Sequence, residues 1–503
     1  LLRSDFLEPM LGRRLVRAFE EIKRAFDPDG LFNPGKIVNP PRMDDRNLFR
    51  YRPAYAPLPL DTVLDWTEWG TLLGAVEMCN NNGACRQTLT GVMCPSYRIS
   101  KDEKHLTRGR ANTLRLALTG QLGPDALTSE EMYSTLELCI SCKACRRECP
   151  TGVDLARMKL EFLAQYRRRK KPSLRDRLFA YLPRYAPWAA QAPWILNLPA
   201  GFPGLRRLAQ LALRISRQRP LPRWRNDFFR HDGWVTPPED AGREVLLWVD
   251  TFNTYFEPEN ALAAVLVLRA AGYRVRIATP RSGSRPLCCG RTFLSAGLVD
   301  EAKREARRVV EALYRDAELG TPIVGLEPSC LLTLRDEFSV LFPRQEVEAL
   351  SRSAVLLEEL VASDETARRK LEATLRPLGG RTLLLHGHCH QKAFGAMEAV
   401  VEVLRLIPEA TVRTIDSTCC GMAGAFGYEA EHYELSLAMA ELSLFPAIRN
   451  AEAGSWIVAD GTSCRRQIAD GLGRPSWHVA RVLESSLSEI PLVPDSRASR
   501  TRA

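Results

Sequence analysis

Seven of the fourteen cysteines fall between residues 79 and 149, and their spacing restricts that stretch more than any other feature of the chain. The tighter group reads Cys139-x2-Cys142-x2-Cys145-x3-Cys149-Pro150. Two residues between cysteines let one short loop aim successive sulfurs at different irons of a single cube, and the proline turns the chain away from the fourth. In such a run three thiolates bind one iron–sulfur cluster and the fourth reaches across to another. A zinc site is the alternative use of closely spaced thiols. The looser group is Cys79, Cys85 and Cys94-Pro95.

The tighter run resembles that of bacterial ferredoxins. Their spacing places a further ligand at position 82, where this chain has Asn82. Cross-ligation then predicts one complete [4Fe-4S] site from Cys94, Cys139, Cys142 and Cys145. The other site has Cys79, Cys85 and Cys149, a count that suits a four-iron cluster with a non-cysteine or solvent ligand, or a three-iron cluster. Asn82 stands in the turn-forming sequence Asn80-Asn81-Asn82-Gly83, so turn formation is its expected role rather than ligation.

With 503 residues there is room for three or four domains, each with its own core. No apolar run approaches the roughly 20 residues of a membrane helix. Every cysteine sits in a ligand-like motif and none in a disulfide-scaffold pattern, which argues for a reducing, cytoplasmic setting and metal work. Leu1 lies inside sequence that already reads as folded, so the chain is expected to continue upstream.

Residues 1–38 read as a helix, with Leu15, Val16, Phe19, Ile22 and Phe26 at helical spacing, followed by a reversal at Asp27-Pro28-Asp29-Gly30 and Asn33-Pro34-Gly35. Together with Arg3-Ser4-Asp5-Phe6-Leu7-Glu8-Pro9-Met10, this stretch resembles the end of an FAD-linked oxidase acting on D-2-hydroxy acids. The resemblance implies a flavin domain upstream, FAD in the full-length protein but not in this stretch, and an iron–sulfur part fused in one polypeptide. A Pro-rich linker, 39–70, leads to the cluster-binding region, 71–164, where Thr107 is expected to cap a helix running to Leu118.

Residues 165–230 hold fourteen arginines and two lysines against Asp176 and Asp227, more local positive charge than the whole chain's +10. Trp188, Trp194 and Trp224 are interspersed. The region 165–242 is expected to be a helical connector with a solvated basic face. Peripheral contact with an anionic membrane is the second reading, at the inner face of the membrane. No nucleic-acid motif accompanies the charge, so a nucleic-acid partner is not expected.

From residue 243 onward short apolar runs alternate with helix-period stretches. Runs at 245–249, 275–278 and 323–326 are matched by runs at 383–385, 412–415 and 456–459, which predicts a duplicated parallel α/β domain with modules 243–375 and 376–488. The cysteines repeat with it: Cys288-Cys289-Gly290 and Cys330, then Cys419-Cys420-Gly421 and Cys464. The second copy adds Cys389 in His386-Gly387-His388-Cys389-His390, where the first has Thr251. Each cysteine falls just after a strand or where a helix begins, and helix N-termini favour thiolates. Paired cysteines followed by glycine resemble the cysteine-rich CCG domain of heterodisulfide reductase B-type subunits and of anaerobic glycerol-phosphate and lactate-utilisation proteins. That family's motif ends in Cys-x2-Cys, whereas Glu327 and Gly461 stand at the earlier position here. Module two therefore has thiols for at least one cluster. Module one either holds no complete cluster unaided or keeps buried structural thiols. The three histidines alternate around Cys389 and would share one face of an extended segment, placed to relay protons, supply a ligand or act as satisfied polar residues. Residues 489–503 read as a disordered tail.

The expected architecture is multidomain, α plus α/β: a helical two-cluster ferredoxin-like domain followed by the duplicated CCG domain. The expected function is electron relay from a flavin, reduced by a D-2-hydroxy acid of the lactate, glycolate or 2-hydroxyglutarate class, through two clusters in 79–149 and at least one in the CCG region. The acceptor would be a quinone or a carrier protein. A stand-alone electron-transfer subunit is the alternative. No residue here is assigned to the catalytic step itself.

Overall fold

The computed structural model describes residues 4–48, 55–88, 91–230, 242–283 and 285–488; the expected tail at 489–503 lies outside the described residues. The chain divides into two compact units, Leu1–Pro59 and Leu60–Ala503.

In the first unit the apolar spacing produces the helix Arg13–Phe26. Asp27 ends it, because its carboxylate accepts the backbone N–H groups of Leu31 and Phe32, both at 2.9 Å, and pairs with Lys23. Leu15, Ile22 and Phe26 remain exposed on this helix, Phe26 by 85%.

The second unit begins with a helical region. Its helices include Leu72–Glu77, Thr107–Leu118, Glu130–Glu137 and Leu155–Arg169, which bury Leu73, Val76, Leu114, Leu136 and Phe162 between them. Side-chain caps start three of them: Thr71 accepts from Gly74 N, Ser129 from Met132 N, and Asp154 from Arg157 N. Thr107 corrects an expectation. It is the first helical residue, Leu106 holds the cap position, and the Thr107 hydroxyl faces Cys94 instead.

Two four-stranded parallel sheets follow. The first is built from β1 (Glu244–Trp248), β2 (Arg274–Ile277), β3 (Ile323–Gly325) and β4 (Ala354–Leu356), in the order β2-β1-β3-β4. The second repeats that order as β6-β5-β7-β8, from β5 (Thr382–Leu385), β6 (Thr411–Thr414), β7 (Trp456–Val458) and β8 (Ser476–Trp477). Glu244 pairs with Arg274 as Thr382 pairs with Thr411, so even the register is duplicated. The last strand of each sheet was not among the expected runs. At two or three residues, neither is long enough to show a periodic pattern.

The two modules share one hydrophobic core. Val245, Leu247, Ala264 and Leu268 of the first are buried in the same cluster as Leu383, Val403, Val479 and Leu483 of the second. The helix Pro258–Ala270 packs on Val479–Ser486, and Leu357–Ser363 packs on Met397–Leu404.

The connector, too, departs from expectation. Its helices include Leu174–Ala180, Leu182–Ala189, Pro193–Gly201 and Pro203–Leu213, but several arginines point inward rather than to solvent. Arg184 pairs with Glu301 at 2.6 Å and Glu305 at 2.8 Å, and Arg175 with Glu431 at 2.8 Å. Arg219 is buried and donates to Gln467 at 2.6 Å. The carboxylates are a hundred or more residues away in sequence, so the local charge balance concealed them.

The helical region is held to the modules by buried charge. Lys143 pairs with Asp336 and, at 2.8 Å, with Glu337; Arg146 also reaches Asp336, and Arg291 reaches Glu337. Burial pushes the Asp336 carboxyl up, but Lys143 and Arg146 outweigh it and hold it well below the usual carboxylate range. A second tie is His432, stacked on Phe426, with Nδ1 2.6 Å from Glu429 and Nε2 3.4 Å from Glu137. Burial disfavours its charge, yet the two glutamates raise its pKa to about 9. A raised folded-state value means stabilisation that is complete below pH ~6.5 and lost as pH rises through 9. Denaturant titrations should therefore find the folded chain more stable than His432→Gln by up to about 3 kcal/mol at pH 6, with the gap closing by pH 10. A gap that does not vary with pH would contradict this.

Candidate metal centres

The cysteines of the helical region gather in two sets. Cys142 and Cys145 lie within electrostatic reach of each other and of Cys94 and Cys139, and Cys85 within reach of Cys79 and Cys149. Left-handed residues bend the loops to make this possible: Asn81, Gly83, Cys94, Ser141 and Lys143 all have positive φ. Asn82 shapes its turn, accepting from Ala84 N at 2.8 Å and donating to Asn80 at 2.6 Å, and it also lies beside Cys149. Cys94 Sγ accepts the Thr107 N–H at 3.2 Å and lies 3.0 Å from the Thr107 hydroxyl. Burial pushes the Cys94 thiol up to about 11, against the pull of Thr107. Burial, followed by Cys389 for Cys142 and by Asp154 for Cys145, pushes both thiols well above the ordinary range.

In the modules, each cysteine pair precedes a glycine that nothing larger can replace. Gly290 has φ 82° and a Cβ there would stand 2.8 Å from Ala302 O. Gly421 has φ 83° and its Cβ would stand 2.2 Å from Ser436 O. The turns let Gly290 N and Gly421 N approach Cys288 Sγ and Cys419 Sγ, each at 3.4 Å. Cys330 and Cys464 lie in the first turns of the helices Pro328–Arg335 and Thr462–Leu472. Cys389 opens the helix Cys389–Phe394 after the cap residue His388, just as Thr251 opens Thr251–Tyr255 after Asp250.

The modules do not keep their thiols apart. Cys288, Cys289 and Cys330 line the same cavity of about 1300 Å³ as Cys389, Cys419 and Cys420, and Cys139 reaches it from the helical region. Cys142 is within electrostatic reach of Cys389 and Cys419. All fourteen cysteines are free thiols. Buried thiols crowded around a cavity far larger than one ion fit an iron–sulfur group, since metal ions deprotonate such thiols and offset their mutual repulsion.

Residues that motif spacing did not identify complete the surroundings. Glu327 bridges the modules, accepting from the Ser329 hydroxyl at 2.8 Å and from Thr462 N at 2.8 Å. Burial, and then the Glu327 charge, raise Asp250 to about 6. A side chain at Gly461 would strike the His388 ring, 2.4 Å from its Cβ. Glu327 and Gly461 were visible in the sequence only as departures from a motif.

The three histidines do not lie in one extended segment, although the rings of His388 and His390 meet edge to face with centroids 5.1 Å apart. The helix beginning at Cys389 breaks the alternation, and each buried ring takes a different neighbour. His386 Nδ1 meets Ser417 Oγ at 2.8 Å, His388 Nδ1 accepts from His390 N at 3.2 Å, and His390 Nε2 lies 3.2 Å from Ser141 O. Burial keeps all three neutral, His388 at about 3.

Comparison with known proteins matches this chemistry. Residues 75–153 match the 4Fe-4S dicluster domain, and residues 1–37 match the C-terminal domain of FAD linked oxidases. The chain is 26% identical over 536 residues to D-2-hydroxyglutarate dehydrogenase of Escherichia coli, covering 96% of this chain and 50% of that protein. It is 27% identical over 325 residues to a subunit of the anaerobic glycerol-3-phosphate dehydrogenase of the same species, covering 63% of this chain and 78% of the relative. Identity to the glycolate oxidase iron-sulfur subunit of Escherichia coli is 25% over 432 residues, covering 82% and 95%. The chain spans about half the length of the curated D-2-hydroxyglutarate dehydrogenases it matches. It thus carries a dicluster region and an FAD-linked oxidase segment, and its relatives are named as a dehydrogenase or as subunits of a dehydrogenase and an oxidase.

The turn after Cys420 gives a direct test. Gly421→Ala combines a left-handed φ with a backbone clash and should cost about 2–5 kcal/mol. Gly424 also has positive φ, but no atom lies within 4 Å of its Cβ. Gly424→Ala should cost only about 1 kcal/mol. Equal shifts of the two urea midpoints would contradict the packing described.

Proposed function

We propose that this chain is the iron–sulfur relay of a flavin-dependent dehydrogenase that oxidises a D-2-hydroxy acid. The observation that carries the reading is the run of thiols from the dicluster region, through Cys142, to Cys389 and Cys419 of module two, all within one compact unit. When bound, such clusters take up and release electrons singly, which lets a two-electron flavin reaction feed a distant acceptor. The chain's own residues hold the thiols at close spacing, keep water out by burial, and set the local charge through Lys143, Arg291 and the backbone N–H groups beside the sulfurs.

The flavin would belong to sequence beyond this chain. The FAD-linked oxidase match at 1–37 supports that, and so does the exposed apolar stripe Leu15, Ile22 and Phe26, a surface suited to cover by another domain. A second reading, a separate electron-transfer subunit, draws on the relatives named as subunits, but such a subunit has no need of the oxidase segment.

Cys94, Cys139, Cys142 and Cys145 would hold one [4Fe-4S] cluster, and Cys79, Cys85 and Cys149 a second centre short of one thiolate. In module two, Cys389, Cys419, Cys420 and Cys464 supply four thiols, whereas module one has Cys288, Cys289 and Cys330 with Thr251 in the fourth place. Cys420→Ser should therefore remove one spectroscopically distinct cluster and stop electron transfer, while Cys289→Ser leaves total iron nearly unchanged. Iron analysis and low-temperature paramagnetic resonance on both variants decide this; equal iron loss would assign a cluster to module one or share one across the repeat.

The acceptor would be a quinone or a carrier protein. Peripheral contact with the inner face of a membrane is supported by Trp188 and Trp194, 75% and 71% exposed, and by Phe202, Leu208 and Leu211, exposed in the same connector. Arg207, Arg214 and Arg217 of that connector are exposed as well. Among the described residues no helix is long and apolar enough to cross a membrane. Co-sedimentation should require anionic vesicles, weaken with salt and fall in Leu211→Glu. Equal binding to neutral vesicles would remove the membrane contact.

A further inference from the structure

His386 directly follows strand β5 and is 1% exposed. A ring nitrogen of His386, Cys420 Sγ and Cys464 Sγ all lie within 4.8 Å of one another. Atoms that close can reach one metal ion together. Nδ1 is taken by Ser417 Oγ, and Nε2 has no hydrogen-bond partner among the described residues. A buried polar nitrogen left unpaired is costly.

The neighbouring imidazoles differ on this point. His388 spends the Nδ1 lone pair on His390 N, so in the neutral ring its proton sits on Nε2, which can donate but not ligate. His390 Nε2 is placed against a backbone carbonyl, Ser141 O. His386 has instead the support that metal-binding histidines commonly have. Ser417 Oγ can accept the Nδ1 proton, and Lys392 Nζ, 3.1 Å away, donates to the same oxygen and fixes it. That tautomer leaves the lone pair on Nε2.

The repeat supplies an internal comparison. At the end of β1, Trp248 occupies the place that His386 holds at the end of β5. The indole N–H of Trp248 is likewise without a hydrogen-bond partner among the described residues, but it only donates, so module one has no lone pair to offer there. The imidazole is specific to the module with the fuller thiol set.

We propose that His386 Nε2 is a ligand of the metal centre held by Cys389, Cys419, Cys420 and Cys464, with Ser417 and Lys392 as positioning residues for the ring. The proposal rests on reading module two as a metal centre. As a donor added to the four thiolates, a neutral imidazole brings no further negative charge to the centre, whereas a thiolate in that place would, and imidazole ligation raises the potential of iron–sulfur centres.

The test uses the full chain, prepared anaerobically with iron and sulfide and with ¹⁵N-labelled histidine. Electron–nuclear double resonance should show a strongly coupled ¹⁵N on the paramagnetic signal that Cys420→Ser removes. The coupling should vanish in His386→Gln and persist in His390→Gln, and His386→Cys should retain the signal at a lower midpoint potential. A Cys420-dependent signal without ¹⁵N coupling, or coupling that survives in His386→Gln, overturns the ligand assignment and leaves the cluster reading intact. Zinc in place of iron, with X-ray absorption showing one nitrogen that His386→Gln removes, keeps the ligand assignment and overturns the cluster reading. Module two without bound metal overturns both. The first measurement is made on the unsubstituted chain, so it decides the question even if a variant fails to fold.

Discussion

The buried ammonium of Lys143 is the contact on which the arrangement of the metal-binding residues depends. It lies between Cys142 and Ala144 with both charged partners, Asp336 and Glu337, on the far side of an interface between segments nearly two hundred residues apart. Each of these side chains is almost wholly buried. Removing one partner from such a group typically costs about 3–5 kcal/mol, because the remaining charge has nowhere to be solvated. The left-handed turn at Lys143 that shapes the cysteine loop also aims the lysine at module one. The same loop meets module two through Ser141 and His390, and through Arg147 and the carbonyl of Lys392. Loop shape and domain docking are therefore one constraint, and Cys142 comes to rest beside Cys389 and Cys419 because of it.

Burial explains the chemistry of the thiols as well. Desolvation raises Cys94, Cys142 and Cys145, and clustering adds repulsion between the thiolates. Alone, such groups stay protonated and unreactive. Metal ions reverse that balance, which makes metal binding and completion of the fold parts of one equilibrium. The duplicated modules assist by meeting across a common hydrophobic core, so that the carboxyl ends of both sheets face a single cavity. Glu327 then ties the two helix starts together.

Much of this was legible in the sequence, for local reasons. The Cys139–Cys149 spacing, the glycine after each cysteine pair and the apolar runs of β1 and β5 are all encoded within a few residues of one another. The equivalence of Thr251 and Cys389 could likewise be read from an ungapped repeat, and the helix starts bear it out. The remainder depended on partners distant in sequence. Arg175, Arg184 and Arg219 resembled a solvated basic face because Glu431, Glu301, Glu305 and Gln467 lie far along the chain. Thr107 carried a good capping signal, but Cys94 supplied a better partner for its hydroxyl. The histidine alternation implied an extended segment until the cap at His388 began a helix one residue later. Strands β4 and β8 were too short to mark themselves.

If the dicluster region and module two form one relay, their centres must stand side by side. Low-temperature paramagnetic resonance of the stepwise-reduced chain tests this most directly. Neighbouring reduced centres should broaden and split each other's signals, and Cys420→Ser should return the dicluster signals to sharp, uncoupled lines. Dicluster signals with the same line shape in the unsubstituted chain and in Cys420→Ser would contradict the single relay.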